Sequence, residues 1–225
     1  MWRTVCTMTL LSILAQAAHA ENPAKLSEET FRQALGQQGF IILEVNWGRH
    51  WNCGEYENVQ LQRLTFSRFE EGAVITNLPS LDLKTPSKLF VKDEFTPYAL
   101  AVEPGTWALT GFDVKTARPG LDVGHAIGNA DNLIAQGKPV GGTFTIAAGE
   151  IIYLGHFSRD CDQGPIPWRY YLTDREDFVR YVARFREWYP FAAGIAVEYR
   201  LFATENLGRQ FALENPVVPG VAVSE

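Results

Sequence analysis

The sequence is poor in the features that usually disclose a function. It has no Lys/Arg-rich run, so nothing in it is built to neutralise a phosphate backbone, and nucleic-acid binding is not expected. It contains no Gly-x-Ser-x-Gly, His-Glu-x-x-His, P-loop or dinucleotide fingerprint. No catalytic residue, cofactor or metal is assigned on that basis. Beyond the first 20 residues no apolar stretch approaches the about 20 residues that a membrane-spanning helix needs. Cysteine is scarce, with three in 225 residues.

What is present begins with Met1–Ala20, which has the order of a secretory signal. Arg3 forms a short positive region, Thr9 to Ala15 an apolar one, and Ala18-His19-Ala20 puts small residues where a signal peptidase reads. Cleavage between Ala20 and Glu21 is expected, and the location is periplasmic, extracellular or on the cell surface. Cys6 precedes the apolar region, so it does not serve as a lipoprotein cysteine. Removing 20 of 225 residues leaves 205, enough for a single β-rich domain over 21–215 with a loose tail over 216–225. The leader carries only one of the 20 basic residues, leaving 19 against 26 acidic ones, a net charge of −7. Six Trp and 14 Phe indicate a packed, ordered chain. Two cysteines remain, Cys53 and Cys161, and an even count in an oxidising compartment favours a bridge between them.

The pattern along the chain is mostly that of strands. Residues 26–38 read as an opening helix with Ser27 as N-cap, Leu26 and Phe31 as a staple, and Gly36 and Gly39 at its end. Phe40–Trp47 is a buried strand, Gly48–Tyr56 a turn region, and Val59–Phe66 a half-buried strand. Leu78–Pro86 reads as loop and Lys88–Phe95 as a weak strand. Two hairpins are expected. Tyr98–Val102 and Trp107–Lys115 flank Pro104-Gly105, and Thr143–Ala147 and Glu150–Phe157 flank Ala148-Gly149. Thr116–Val140 between them is a long loop with a short helix near Asp131–Gln136. Thr173-Asp174-Arg175-Glu176 is a capping box that opens a helix. Phe178, Val182, Phe185, Trp188 and Tyr189 line one face of it, and Pro190 ends it. Gly194–Ala203 follows as an alternating strand. The expected class is mainly β with flanking helices: an antiparallel sandwich or curled sheet, with the capped helix on a sheet face.

Val102-Glu103-Pro104-Gly105-Thr106-Trp107-Ala108-Leu109 and Ala147-Ala148-Gly149-Glu150-Ile151-Ile152-Tyr153-Leu154-Gly155 are similar to the paired "PGxYxL" and "AGExxYLG" hairpins of uncharacterised exported bacterial β-domain proteins. In that group a capped helix ending in Tyr-Pro follows, as Tyr189-Pro190 does here. The resemblance covers the second half of the chain. It implies a bacterial envelope protein with a prealbumin-like or related β-sandwich, and it transfers no catalytic residue.

Three function classes stay open. The first is a non-enzymatic envelope protein that binds a partner protein or scaffolds. The second is a small-ligand or glycan binder using Trp47, Arg49, His50 and Trp51, where two Trp flank a cation and an imidazole. Opposed to it, Trp47 ends a core strand and Trp51 packs over the disulfide. The third is a hydrolase or redox enzyme using His156 and Cys161 as a nucleophilic pair, against which stands a disulfide at Cys161. Asp160 and Asp162 lack the oxygen count of a Ca²⁺ loop, and His125 reads as a solvated loop residue.

Overall fold

The run Gly39–Asn46 is apolar at almost every position, and a strand of that kind needs cover on both faces. In the computed structural model, which describes residues 26–87, 91–120, 123–161, 166–200, 202, 204 and 217–221, all eight of its residues are buried. The expected signal region and its expected cleavage site lie outside the described residues.

The chain opens with helix α1 (Glu28–Ala34), capped by Ser27, whose hydroxyl accepts from the Thr30 N–H. Strands β1 (Gly39–Asn46), β2 (Arg49–Cys53), β3 (Tyr56–Glu70), β4 (Ala73–Val74) and β5 (Leu81–Lys84) follow. Then come β6 (Phe95–Val102), β7 (Gly105–Ala117) and β8 (Val123–Gly128). Helix α2 (Ala130–Leu133) precedes β9 (Ile134–Ala135), β10 (Lys138–Pro139), β11 (Thr143–Ile146), β12 (Ile151–Arg159) and β13 (Pro167–Tyr170). Helix α3 (Arg175–Trp188), β14 (Val197–Tyr199) and β15 (Val217–Val218) complete the order.

Two sheets make a sandwich. The first runs β15-β14-β12-β1-β6, with β13 also on β12. The second runs β11-β7-β3-β2, with β4 and β5 on β3 and β8 on β7. Phe66 of β3 meets Phe157 of β12 at 5.7 Å between ring centroids, which places the inner faces in contact. The outer face of the first sheet is covered by α3, whose Phe178 and Tyr181 rest on Tyr153 at 5.8 and 5.0 Å. Phe31 of α1 rests on Phe40 at 4.7 Å.

Neither expected hairpin is one. β6 pairs with β1 in the first sheet, whereas β7 pairs with β3, β8 and β11 in the second. Likewise β11 belongs to the second sheet and β12 to the first. The Pro104-Gly105 and Ala148-Gly149 turns are corners that carry the chain across the sandwich. A tight turn constrains φ locally and leaves the partners of its two strands undetermined. The two corners share a further feature. Thr110, just before Gly111, and Leu154, just before Gly155, are each an extra residue in the strand register. Both are β-bulges five positions after a corner glycine, and Gly105-x-Trp107-x-Leu109-x-Gly111 is similar to Gly149-x-Ile151-x-Tyr153-x-Gly155 because both meet the same requirement.

Other expectations change as well. The first sheet is mixed: β12 runs parallel to β14, because α3 lies on the return from β13 to β14, and parallel to β1, from which the chain reaches it by way of the second sheet. Gly48–Tyr56 contains strand β2, which turns at Gly54 into β3, and β5 lies within Leu78–Pro86. The weak strand over 88–95 lies partly outside the described residues, and pairing starts only at Phe95. The described part of the long loop is ordered, since β8 returns along β7 and α2 carries a capping box at Asn129. The α3 N-cap is Asp174 and not Thr173. Of the α3 stripe, Trp188 is exposed, while Tyr181 joins the buried set. Among the described residues of the last expected strand, β14 covers Val197–Tyr199 and the Arg200 N–H still donates to the Tyr153 carbonyl at 3.4 Å; Leu201 lies outside the described residues. Part of the tail is fastened: Val217 pairs with Glu198, and the Val221 N–H donates to the Ala193 carbonyl at 2.8 Å.

Candidate functional site

The row structure of the first sheet assembles a site that no single segment contains. Across the outer face, Tyr170, His156 and Glu44 are register partners on β13, β12 and β1. Trp168 and Ser158 pair one row on, and Asn46 pairs with Phe95. All of these but Glu44 line a cleft of about 630 Å³, together with His50, Arg159, Asp160, Cys161, Arg169, Tyr171 and Leu172. That volume falls in the range that takes ligands of drug size.

Asp93, just before β6, organises one wall. Its Oδ1 accepts from Asn46 Nδ2 at 2.8 Å and from Arg159 Nη2 at 2.7 Å, and its Oδ2 lies 3.3 Å from His50 Nδ1. Burial pushes its carboxyl up, but the Arg159, Asn46 and His50 contacts outweigh this and hold it below the usual range. Gly48 makes the arrangement possible. A Cβ there would stand 2.3 Å from the Asp93 Cα, so only glycine lets the two backbones approach.

The floor is a buried chain of polar groups. His156 Nε2 lies 2.9 Å from Glu44 Oε2, and its Nδ1 lies 2.5 Å from the Tyr153 hydroxyl. An ionised carboxylate only accepts, so Nε2 carries a proton. In the neutral ring Nδ1 then accepts from Tyr153. Burial holds the Tyr153 and Tyr181 hydroxyls well above the ordinary tyrosine range. With both nitrogens engaged, His156 presents the edge of its ring, which meets Phe95 at 5.2 Å. Phe95 and Tyr170 form the mouth, 38% and 44% exposed and 6.3 Å apart.

Arg169 also lines the cleft but is itself buried, with its guanidinium 4.0 Å from the Phe202 ring centroid and 5.0 Å from that of Tyr171. Burial lowers its pKa to about 10 against the pull of Tyr171, so it stays a cation at neutral pH.

The residues singled out from sequence separate. Cys53 and Cys161 are bridged, with Cα atoms 4.8 Å apart. Cys161 therefore offers no thiol to pair with His156. Trp47 is fully buried, and its Nε1 donates to the Tyr98 hydroxyl at 2.7 Å, which corrects its candidacy as a ligand contact and leaves it a core residue. Alternation along β2 then divides the rest. His50 faces Asp93 and the cleft. Arg49 and Trp51 point the opposite way, with the Arg49 guanidinium 5.5 Å from the ring of the exposed Trp51. His125 is not simply solvated, since its Nδ1 lies 2.7 Å from Asp113 Oδ1. Asp160 is buried and Asp162 lies outside the described residues. Among the described residues no group of three or more His, Cys, Asp or Glu is placed to hold a metal, and no helix is long and apolar enough to cross a membrane.

Sequence reading missed Glu44, Asp93, Phe95, Ser158, Trp168 and Tyr170. A glutamate inside the apolar run of β1 was the one available mark, because a charge in a doubly covered strand needs a partner. Comparison of the chain with known protein families, curated proteins and solved structures finds no match in any of the three.

Proposed function

We propose that the chain is an exported, non-enzymatic binding protein that takes a small ligand in the cleft framed by Phe95, Trp168, Tyr170 and the Asp93 network. The observation that carries this reading is the pairing of two exposed aromatic rings with polar groups already fixed by one another. Such a site loses little freedom when a ligand arrives. The engagement of both His156 nitrogens and the oxidation of Cys161 support binding over nucleophilic catalysis. The leader-like Met1–Ala20 and the disulfide support export to the periplasm or cell surface.

The test is a thermal-shift screen of a chemically diverse small-molecule library on the mature protein, with Phe95→Ala and Tyr170→Ala beside it. Ligands that raise the melting temperature of the parent and fail to raise that of either variant support the reading. A library without one cleft-dependent ligand sinks it. Export is checked by N-terminal sequencing of the secreted form, which should begin at Glu21.

A protein partner is the second reading. It is favoured by Val123 and Ile127 of β8, which are 53% and 55% exposed on one face of a strand bonded only to β7 among the described residues. Crosslinking from a residue placed at Ile127 in intact cells tests it, and an absence of adducts rejects it.

A further inference from the structure

We infer that the ligand of this cleft is a neutral, hydroxyl-rich ring, that is, an uncharged saccharide; the inference rests on the cleft being a binding site. The argument starts from charge. Charges of both signs meet at the cleft and are paired: Glu44 with His156 at 2.9 Å, and Asp93 with both Arg159 at 2.7 Å and His50 at 3.3 Å. Asp160 and Arg169, which also line it, are buried and have partners of their own, so neither is a free charge. The Arg159 side chain is only 6% exposed and that of Glu44 9%. An anionic ligand would have to draw Arg159 from Asp93, and a cationic one would have to draw Asp93 from Arg159. The cationic ligand would strand Arg159 in a poorly solvated wall, which is strongly unfavourable, and the anionic one would set like charge against Asp93, which is 44% exposed and lies beside the same guanidinium.

A neutral ligand meets no such barrier. A carboxylate has about four acceptor positions and a guanidinium five N–H donors, so Asp93 and Arg159 keep capacity after satisfying each other. The second N–H of the Asn46 amide adds a donor, its Oδ1 being held by the Gly48 N–H at 2.9 Å. The Ser158 hydroxyl accepts from Arg159 Nη1 at 3.0 Å and retains its own proton to donate. Hydroxyl groups, which both donate and accept, match this mixture better than a group that only accepts or only donates. The other half of the recognition is apolar. Phe95 and Tyr170 offer ring surface at the mouth, and the C–H face of a pyranose packs on such a surface while its rim of hydroxyls reaches the Asp93 wall. A purely apolar ligand would leave that polar wall dehydrated without partners.

The experiment is an array of defined oligosaccharides, neutral, sulfated, uronic and sialylated, probed with the mature protein. Calorimetric titration of the strongest neutral binder follows, into the parent and into Tyr170→Ala, Phe95→Ala and Asp93→Asn, each checked for an unchanged fold by circular dichroism. Binding to neutral oligosaccharides, weakened by about tenfold or more in the Tyr170 variant and in the Asp93 variant, supports the inference. Binding confined to acidic glycans overturns it, as does an array with no bound glycan. In both cases the cleft reading stands or falls separately on the small-molecule screen. Neutral-glycan binding that none of the three substitutions changes overturns both.

Discussion

Tyr153 and His156 are three positions apart in one strand, yet they face the same side of the sheet and share a hydrogen bond. Regular alternation would put them on opposite faces. Leu154 is the extra residue that reverses the alternation: Ile42 pairs with Tyr153 and Leu43 with Gly155. One bulge thus builds the polar floor of the cleft, bringing His156 to Glu44 on the parallel neighbour β1.

Removing the Tyr153 hydroxyl isolates its contribution. Tyr153→Phe keeps the ring packed against Tyr181 and Phe178 but leaves His156 Nδ1 without its partner. The expected loss is about 1–3 kcal/mol, the usual range for an orphaned buried polar atom. Urea unfolding measures it, and a change below a few tenths would show that the hydroxyl contributes nothing.

Two glycines with positive φ allow the bulge itself to be tested. Gly149, at φ 77°, has open space where a Cβ would stand. Gly155, at φ 110°, has Arg169 Cγ and Cδ and the Tyr170 carbonyl at 3.0 Å. Gly149→Ala should therefore show only backbone strain, about 1 kcal/mol, whereas Gly155→Ala adds a clash and should exceed it by about 1–2 kcal/mol. Equal costs in parallel denaturation curves would contradict this account of the bulge.

Acid should weaken the fold through two carboxylates. Asp93 is held low by the Arg159, Asn46 and His50 contacts, which outweigh the opposing effect of burial. Glu150 is held low chiefly by Arg200, whose guanidinium reaches both its oxygens at 2.9 and 3.3 Å. A folded-state pKa below the unfolded one contributes stability above the unfolded value, about 3.9 for Asp and 4.3 for Glu, that is lost as pH falls through the folded value. Stability should hold from neutral pH to about 4.5 and decline below it. Asp93→Asn and Glu150→Gln should each flatten that decline in melting curves taken from pH 6 to pH 2. Parent-like slopes in both would exclude these groups.

The bridge should dominate overall stability. Cys53 and Cys161 are 108 positions apart, and closing a loop of that size is worth about 4–5 kcal/mol in the chain-entropy account, against a total of about 5–15 kcal/mol for a domain. Cys53→Ala and Cys161→Ala should lower the melting temperature by similar, large amounts, and a reductant should bring the parent to the same value. A parent protein indifferent to reductant would reject the assignment.

Local chemistry sufficed for the parts that depend on neighbours in the chain. Ser27 caps α1 because its hydroxyl reaches the Thr30 N–H within one turn. Phe178, Val182 and Phe185 share a buried face because helical spacing puts them there. The apolar run of β1 required cover on both faces, and Cys53 and Cys161 were the two cysteines outside Met1–Ala20 and so each other's expected partner. Strand partnership is different in kind. Alternation states which side chains are buried and is silent on which strand accepts the backbone hydrogen bonds, so the strands on either side of Pro104-Gly105 read as a hairpin when they belong to opposite sheets. The cleft depends wholly on that non-local choice. Glu44, Asp93, His156, Trp168 and Tyr170 come from separate segments spread over more than half of the chain, and they meet only because β12 lies parallel to β1 with β13 folded back along it. Trp47 shows the converse. Its sequence neighbours resemble a binding surface, but the packing of the two sheets encloses it and leaves only His50 of that segment turned toward the cleft.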